Sequence, residues 1–414
     1  MEKMIIQGKI INHDDEFDGS VDINTDTGLI EEVIKNEAEG PERSRGRKGE
    51  ADIDVGDALI FPGFVDLHVH AREDVSGKDV YKEDYVSASQ AAIHGGVVHF
   101  VDMPNKPISP VNDDNYNDLL QLAKKSLVDV TLYAGIGPDT HPLSFPVPYK
   151  VFMSKGPVGG LFFEDTESLE QTMARYGGRN VSFHCEDPAV LKKHEQEPTH
   201  EQRRPREAEI EAVETALNLI EKYNLQGKIL HISTKEAVEK IAAAKARGLN
   251  VTCEVTPHHL YFSDKHLQVN PPVRTAEDRA ALIEALHSGV IDFIASDHAP
   301  HTLEENAAGA SGVTHLDTYG PFITWLMKEH KFSPQDIARV CSYNPGAFVN
   351  GFRDEKFGKI EKGYIGSLTI IDPNSPVTIK REDLKTKAGW SPFEGITFPG
   401  RVAYTIVRGK ITQL

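Results

Sequence analysis

Between residues 61 and 300 this chain repeats one pattern eight times: a short apolar run, then a stretch of helical character. The runs fall at 64–68, 97–102, 130–136, 149–153, 181–184, 229–232, 251–255 and 291–295. They are β-branched and aromatic in flavour and mostly continuous rather than alternating, as strands buried on both faces are. Helix candidates lie between them at 83–94, 114–125, 168–176, 206–223, 235–247 and 276–287. A last one, 318–330, follows the eighth run, with Pro321 admissible only in its first turn. Eight such units over about 270 residues is the count of a (β/α)8 TIM barrel, whereas doubly wound sheets usually stop sooner.

The flanks read differently. Strand-like runs occur at 4–11, 21–24 and 29–34, and again at 367–371 and 377–380, with a hairpin at 402–412 turning on Arg408-Gly409-Lys410. The prediction is one small β-domain built from both termini, 1–60 and 360–414, beside a barrel at 61–359. The segment 36–50 is charged and nearly free of apolar residues, so it reads as a solvated loop, and 194–209 as a solvated loop running into a helix.

Composition bounds the partners. With 414 residues the chain can bury a sizeable core. Its 45 basic and 63 acidic residues leave a net charge of −18, which disfavours a general nucleic-acid or anionic-membrane binder. No apolar run is long enough for a membrane span, and the first residues lack the features of a signal peptide. Three cysteines (Cys185, Cys253, Cys341) form no framework, which fits a cytoplasmic protein. A homodimer is the base-rate expectation.

The chemistry lies at the ends of the runs. The first ends in His68-Val69-His70, the fourth carries Lys150, the fifth ends at His184, the sixth carries His231, and the eighth leads into Asp297. Strand C-termini of a barrel share one mouth, so five separated segments converge there. Residues i and i+2 of a strand face the same way, so His68 and His70 can clamp one ion from one side. Alone, an HxH pair is more often two histidines on a polar strand end, and His184 or His231 alone a satisfied buried histidine; the convergence changes this. Imidazole and carboxylate with no thiolate suit a catalytic zinc-type site, although such ligands also accept manganese or cobalt. Lys150, taken by itself, reads as a salt-bridged or snorkelling lysine.

The segments FPGFVDLHVHARED, DMPNKP, YKVFM, HCED, HIST, VTCEVTPHHLYFS, NPPVR, ASDHAPHTLEEN and WSPFEG occur in that order over roughly residues 55–400. Together they resemble the signature segments of the dihydroorotases, in the cyclic-amidohydrolase branch of the amidohydrolase superfamily. The resemblance implies a distorted barrel with a small β-sandwich from both termini and two divalent metal ions, zinc by ligand type. It implies that His68, His70 and Asp297 hold the more buried ion and His184 and His231 the second. Lys150 would bridge both as a CO2-derived carbamate, since an ammonium cannot bind a metal and a carbamate can. Arg72, Asn105 and His301 would take a substrate carboxylate, and Asn270 would contact the ring. The implied activity is the reversible hydrolysis of dihydroorotate to carbamoyl-aspartate in pyrimidine biosynthesis, by a metal-bridging hydroxide with Asp297 as proton shuttle.

Several features stand apart from that pattern. The glycine-rich stretch from 153 reads as a mobile lid. His315 reads as a surface histidine or as a residue that narrows substrate choice. Leu230 stands where some members place a third-metal cysteine, so no third ion is expected, and Cys253, Glu254, His258 and His259 read as core and loop residues. Two other functions compete. A hydantoinase, dihydropyrimidinase or allantoinase would need no carboxylate clamp, and Arg72 with Asn105 argues against it. A silent scaffold partnering aspartate transcarbamoylase would be expected to have lost ligands, and all six are present.

Overall fold

The computed structural model describes residues 3–36, 51–155 and 160–414. Most of the charged segment expected as a solvated loop, 37–50, lies outside the described residues, as does 156–159 of the stretch expected as a lid. Four strands open the chain: β1 (Lys3–Ile11), β2 (Glu16–Asn24), β3 (Leu29–Lys35) and β4 (Ile53–Pro62). β4 is not among the strands predicted from sequence. Its first half, IDVGD, is polar and half-exposed, and only Ala58 to Pro62 is buried.

The barrel strands are β5 (Phe64–Val69), β6 (Val97–Asp102), β7 (Asp129–Leu132), β8 (Ala134–Ile136), β9 (Tyr149–Phe152), β10 (Asn180–His184), β11 (Gln226–Ile229), β12 (Val251–Val255) and β13 (Phe293–Ile294). All pair in parallel, in the orders β5-β6-β7 and β8-β9-β10-β11-β12-β13. The third apolar run is therefore split. At Tyr133 the chain changes partners: Tyr133 N donates to Asp102 O and Ala134 N to Pro148 O.

The ring closes between its last and first strands. β13 is only two residues long, so side chains and an isolated bridge do the joining. Ser296 N donates to Asp66 Oδ1 at 3.0 Å, His70 N donates to His298 O at 2.8 Å, and Val69 bridges His298 in parallel. The result is a distorted (β/α)8 barrel. The helices are capped as their sequences suggest: Tyr85–His94 starts at Asp84 with a capping box to Ser87, and Lys235–Ala246 starts at Thr234. The 194–209 segment is more structured than expected, with a short helix at His200–Arg203 ahead of the long helix Arg206–Lys222.

The chain returns through β14 (Leu368–Asp372), β15 (Val377–Thr378), β16 (Thr397–Phe398), β17 (Arg401–Val407) and β18 (Lys410–Gln413). The terminal sheet runs β18-β17-β14-β4-β1-β2-β3, so both ends of the chain are strands of one sheet. That sheet folds over its own core of Ile6, Ile10, Val21, Ile23, Ile60, Leu368, Ile370 and Ile406. Its two wings meet where Gly366 N donates to Gly28 O and Gly409 N to Gly366 O. A Cβ on Gly366 would lie 2.5 Å from Ile23 Cγ2, so glycine is what permits that approach. The final hairpin turns on two residues, Arg408 (φ 50°) and Gly409 (φ 79°), the conformation of a primed turn. Between β14 and β17 the chain leaves the sheet for the barrel: Trp390 Nε1 donates to His301 O, and Phe393 stacks on Phe262. Among the described residues no helix is long and apolar enough to cross a membrane.

Candidate metal centre

His68 lies in β5 and His70 one residue beyond its end. Both aim Nε2 at the same oxygen, Asp297 Oδ1, at 3.1 and 3.2 Å. One ligand atom from each of His68, His231 and Asp297 lies within 4.8 Å of the others. His184, at the end of β10, joins through His231: its Nδ1 is 2.8 Å from His231 Nε2. The donor set is thus imidazole and carboxylate, buried and convergent, and it fits divalent ions.

The backbone is bent to achieve this. Arg72, His231 and Asp297 all have positive φ, at 60°, 34° and 46°. Such conformations are unfavourable for side chains larger than glycine by about 1–3 kcal/mol and gather at functional sites. Arg72 does not continue the strand register of His70: β5 ends at Val69, and the left-handed turn at Arg72 places its side chain instead. Its Nε donates to Pro300 O at 3.1 Å and its Nη2 to His301 Nε2 at 3.1 Å. The sixth run is likewise displaced, since β11 ends at Ile229 and His231 sits two residues past it.

Electrostatics separates two buried lysines. Lys150 is 1% exposed, and among the described residues no carboxylate is within ion-pair distance. Its Nζ lies 4.6 Å from the Phe152 ring centre. Burial pushes its pKa down to about 7, against the attraction of Asp297 and Glu254. The salt-bridged reading of Lys150 is therefore not what the structure shows. Lys228 is equally buried, but Glu254 at 2.8 Å more than offsets burial and raises its pKa. Burial also opposes charge on Asp297, yet the imidazoles of His68 and His70 hold its carboxyl well below the usual range.

The outer residues surround this centre. Asn105 follows β6, and its buried Oδ1, like that of Asn270, has no hydrogen-bond partner among the described residues. Asp102 ties the adjoining loops together, accepting from Ala71 N at 3.0 Å and Tyr85 Oη at 2.6 Å and pairing with Lys106 at 2.9 Å. His315 is not a surface residue: it is 1% exposed, stacked on His258 with ring centres 5.1 Å apart and Nε2 2.9 Å from His258 Nδ1. Nothing local in its sequence reports this, because the rings of His258 and Phe393 come from distant segments.

Reading the sequence also missed Glu254, Lys228, Glu186 and Arg204. Glu254 Oε1 is 2.5 Å from His68 Nδ1, and Glu186 Oε2 is 2.8 Å from His184 Nε2 and pairs with Arg204. A usable signal was present. A charged residue within a strand buried on both faces needs a partner, and Glu254 sits in VTCEV and Lys228 in QGKI.

Burial holds three histidines near the site neutral far into acid: His259 and His301 to about 4, with Arg72 adding to the effect at His301, and His315 to about 3. The unfolded chain protonates them near 6.5, so between about 6.5 and 4 it binds more protons than the native state. Stability of the metal-free protein is expected to fall across that window as pH is lowered, with uptake of about three protons on unfolding near pH 5 from these residues. Urea unfolding midpoints from pH 7 to 4 measure this, and a flat profile would refute it.

Three comparisons place the chain among known proteins. The family model described as the amidohydrolase family matches residues 59–412. The dihydroorotase of Pyrococcus furiosus is 32% identical over 421 residues, covering 99% of this chain and 92% of that protein. The dihydroorotase of Thermococcus kodakarensis is 33% identical over 423 residues, covering 100% and 95%. Among solved structures, an L-hydantoinase (dihydropyrimidinase) from Arthrobacter aurescens matches with a TM-score of 0.86 at 23% identity, covering 100% of this chain and 96% of that one. At that identity the likeness concerns the fold, a TIM barrel with a β-sandwich.

Proposed function

The chain belongs to the amidohydrolase family, and on that premise we propose that it is a dihydroorotase, catalysing the reversible hydrolysis of dihydroorotate to carbamoyl-aspartate. The observation that carries the choice is the buried Arg72, held against Pro300 O and His301 beside the metal-ligand cluster. A guanidinium there suits a ring that bears a carboxylate, as dihydroorotate does and hydantoin and dihydrouracil do not.

His68, His70 and Asp297 would hold one ion, His184 and His231 a second, and Lys150 as its carbamate would bridge them; zinc fits these ligands. When bound, the ions supply an activated water and polarise the scissile carbonyl. Asp297 accepts the proton of the attacking water and returns it to the departing ring nitrogen as the C–N bond breaks. Arg72, Asn105 and His301 orient the substrate carboxylate. Neutral His301 accepts from Arg72 Nη2, leaving Arg72 as the only charge in that clamp. Asn270, its buried Oδ1 unpaired among the described residues, has an acceptor to offer a ring N–H.

The test is turnover of dihydroorotate, dihydrouracil and hydantoin by one metal-replete preparation, with a chelator-stripped control. Chelator-sensitive turnover of dihydroorotate alone is expected. Arg72→Met should raise KM for dihydroorotate by about 10–100-fold, the size of a lost charge-assisted hydrogen bond, with less effect on kcat. Preference for an uncharged ring, or an unchanged KM in the variant, would move the chain to the hydantoinase reading. No turnover of any ring would favour the silent scaffold.

A further inference from the structure

Two metal-facing histidines are each backed by a carboxylate, and each carboxylate by its own cation. Glu254 Oε1 meets His68 Nδ1 at 2.5 Å, and its Oε2 meets Lys228 Nζ at 2.8 Å. Neither the Glu254 nor the Lys228 side chain has any exposed surface. The ammonium lies 5.4 Å from the Tyr133 ring centre, 5.8 Å from Phe293 and 5.0 Å from Phe348. On the other side of the cluster, Glu186 Oε2 meets His184 Nε2 at 2.8 Å and pairs with Arg204. The Glu186 side chain is 1% exposed.

A buried ion pair is a poor stabiliser, because desolvation offsets much of its attraction and an apolar pair of similar volume often serves as well. Two such pairs on two histidines of one cluster therefore call for another role. A carboxylate on one ring nitrogen places the proton there and leaves the other nitrogen with its lone pair. At His68 Glu254 holds the proton on Nδ1, so Nε2, 3.1 Å from Asp297 Oδ1, is the nitrogen left to offer a lone pair to an ion bound between them. At His184 the arrangement is mirrored: the proton belongs on Nε2, and Nδ1 presents its lone pair 2.8 Å from His231 Nε2. His70 has no such support among the described residues, where its buried Nδ1 has no partner. The two backing pairs share no residue and come from different strands and loops.

We propose that Glu254 with Lys228, and Glu186 with Arg204, are positioning pairs that each fix the tautomer of one histidine and so serve two separate metal subsites. This rests on the metal-centre reading above. Its test is zinc retention by mass spectrometry after dialysis, together with competition against a chelator, on the full chain. The variants are Glu254→Gln and Glu186→Gln, and the doubles Glu254→Gln/Lys228→Met and Glu186→Gln/Arg204→Met. The doubles remove the cation that a single substitution strands. Each single variant is expected to lose about 10–100-fold in zinc affinity at one of two ions. The doubles should recover the wild-type melting temperature without recovering that affinity. Where a single variant does not fold, its double carries the same comparison. A double variant with wild-type zinc affinity overturns the proposal, because the pair would then be structural only. Loss of both ions from either pair overturns the separation into two subsites. A wild-type chain that retains no zinc overturns the metal reading itself.

Discussion

Replacing Asp297 by alanine or asparagine is expected to lower kcat for dihydroorotate about 10³-fold, within the range that positioned acid–base groups supply. One oxygen of this carboxylate is shared by two imidazoles, His68 at 3.1 Å and His70 at 3.2 Å. Burial opposes its charge, but those rings hold its pKa well below the ordinary carboxylate range. Those rings thus favour its ionised form, the one that can take a proton from water. Asparagine keeps the shape and loses the charge, so it separates chemistry from packing. Arg72 is untouched in both variants, and KM should change much less than kcat, the pattern of an interaction made mainly in the transition state. Thermal melts control for folding. Either variant within about tenfold of wild type would remove Asp297 from the proton path, since acid–base catalysis alone is typically worth more.

The sequence was readable where burial on both faces wrote a continuous apolar run. The stretches 97–102 and 251–255 coincide with β6 and β12. It was less readable at the closure of the barrel. There the strand shrinks to Phe293–Ile294, and the Asp66 side chain holds Ser296 in place of a ladder. The convergence of the candidate histidines could be read because strand ends share one mouth, an argument that survives small errors of register. His231 lies past its strand and Arg72 off its register, yet both are buried beside the cluster. The supporting pairs were hidden for the opposite reason. Lys228 and Glu254 meet only because β11 and β12 pair with Lys228 opposite Thr252, which puts Glu254 one side-chain repeat further along the same face. That register is not written in either strand alone. His315 needed still more, since its burial depends on segments 57 and 78 positions away, at His258 and Phe393.

Lys150→Met is expected to lose bound zinc and to retain about 0.1% or less of wild-type turnover. Bound ions would supply several kcal/mol of charge stabilisation, and each 1.36 kcal/mol is tenfold in rate. The structure presents two buried lysines near the cluster and makes them unlike. Lys228 has Glu254 at 2.8 Å and stays an ammonium, because that attraction outweighs burial. Among the described residues Lys150 has no carboxylate at such a distance, and burial brings its pKa down to about 7. Near neutrality about half of it is the free amine, the form that attacks CO2. In that reaction the N–C bond would form as a C–O π bond of CO2 opens, the nitrogen would give up one proton, and the neutral amine would become an anionic carbamate able to hold metal. Reconstitution of the metal-free protein with zinc should therefore need dissolved CO2 or bicarbonate. Its rate should rise as pH is raised through about 7 and level off above, where an ordinary lysine would still be gaining amine up to about 10.4. Methionine matches the length of the side chain and lacks the nitrogen, so its loss of metal would isolate that chemistry from packing. Reconstitution indifferent to CO2, or a Lys150→Met chain that keeps both ions, would leave Lys150 a buried lysine without a carbamate.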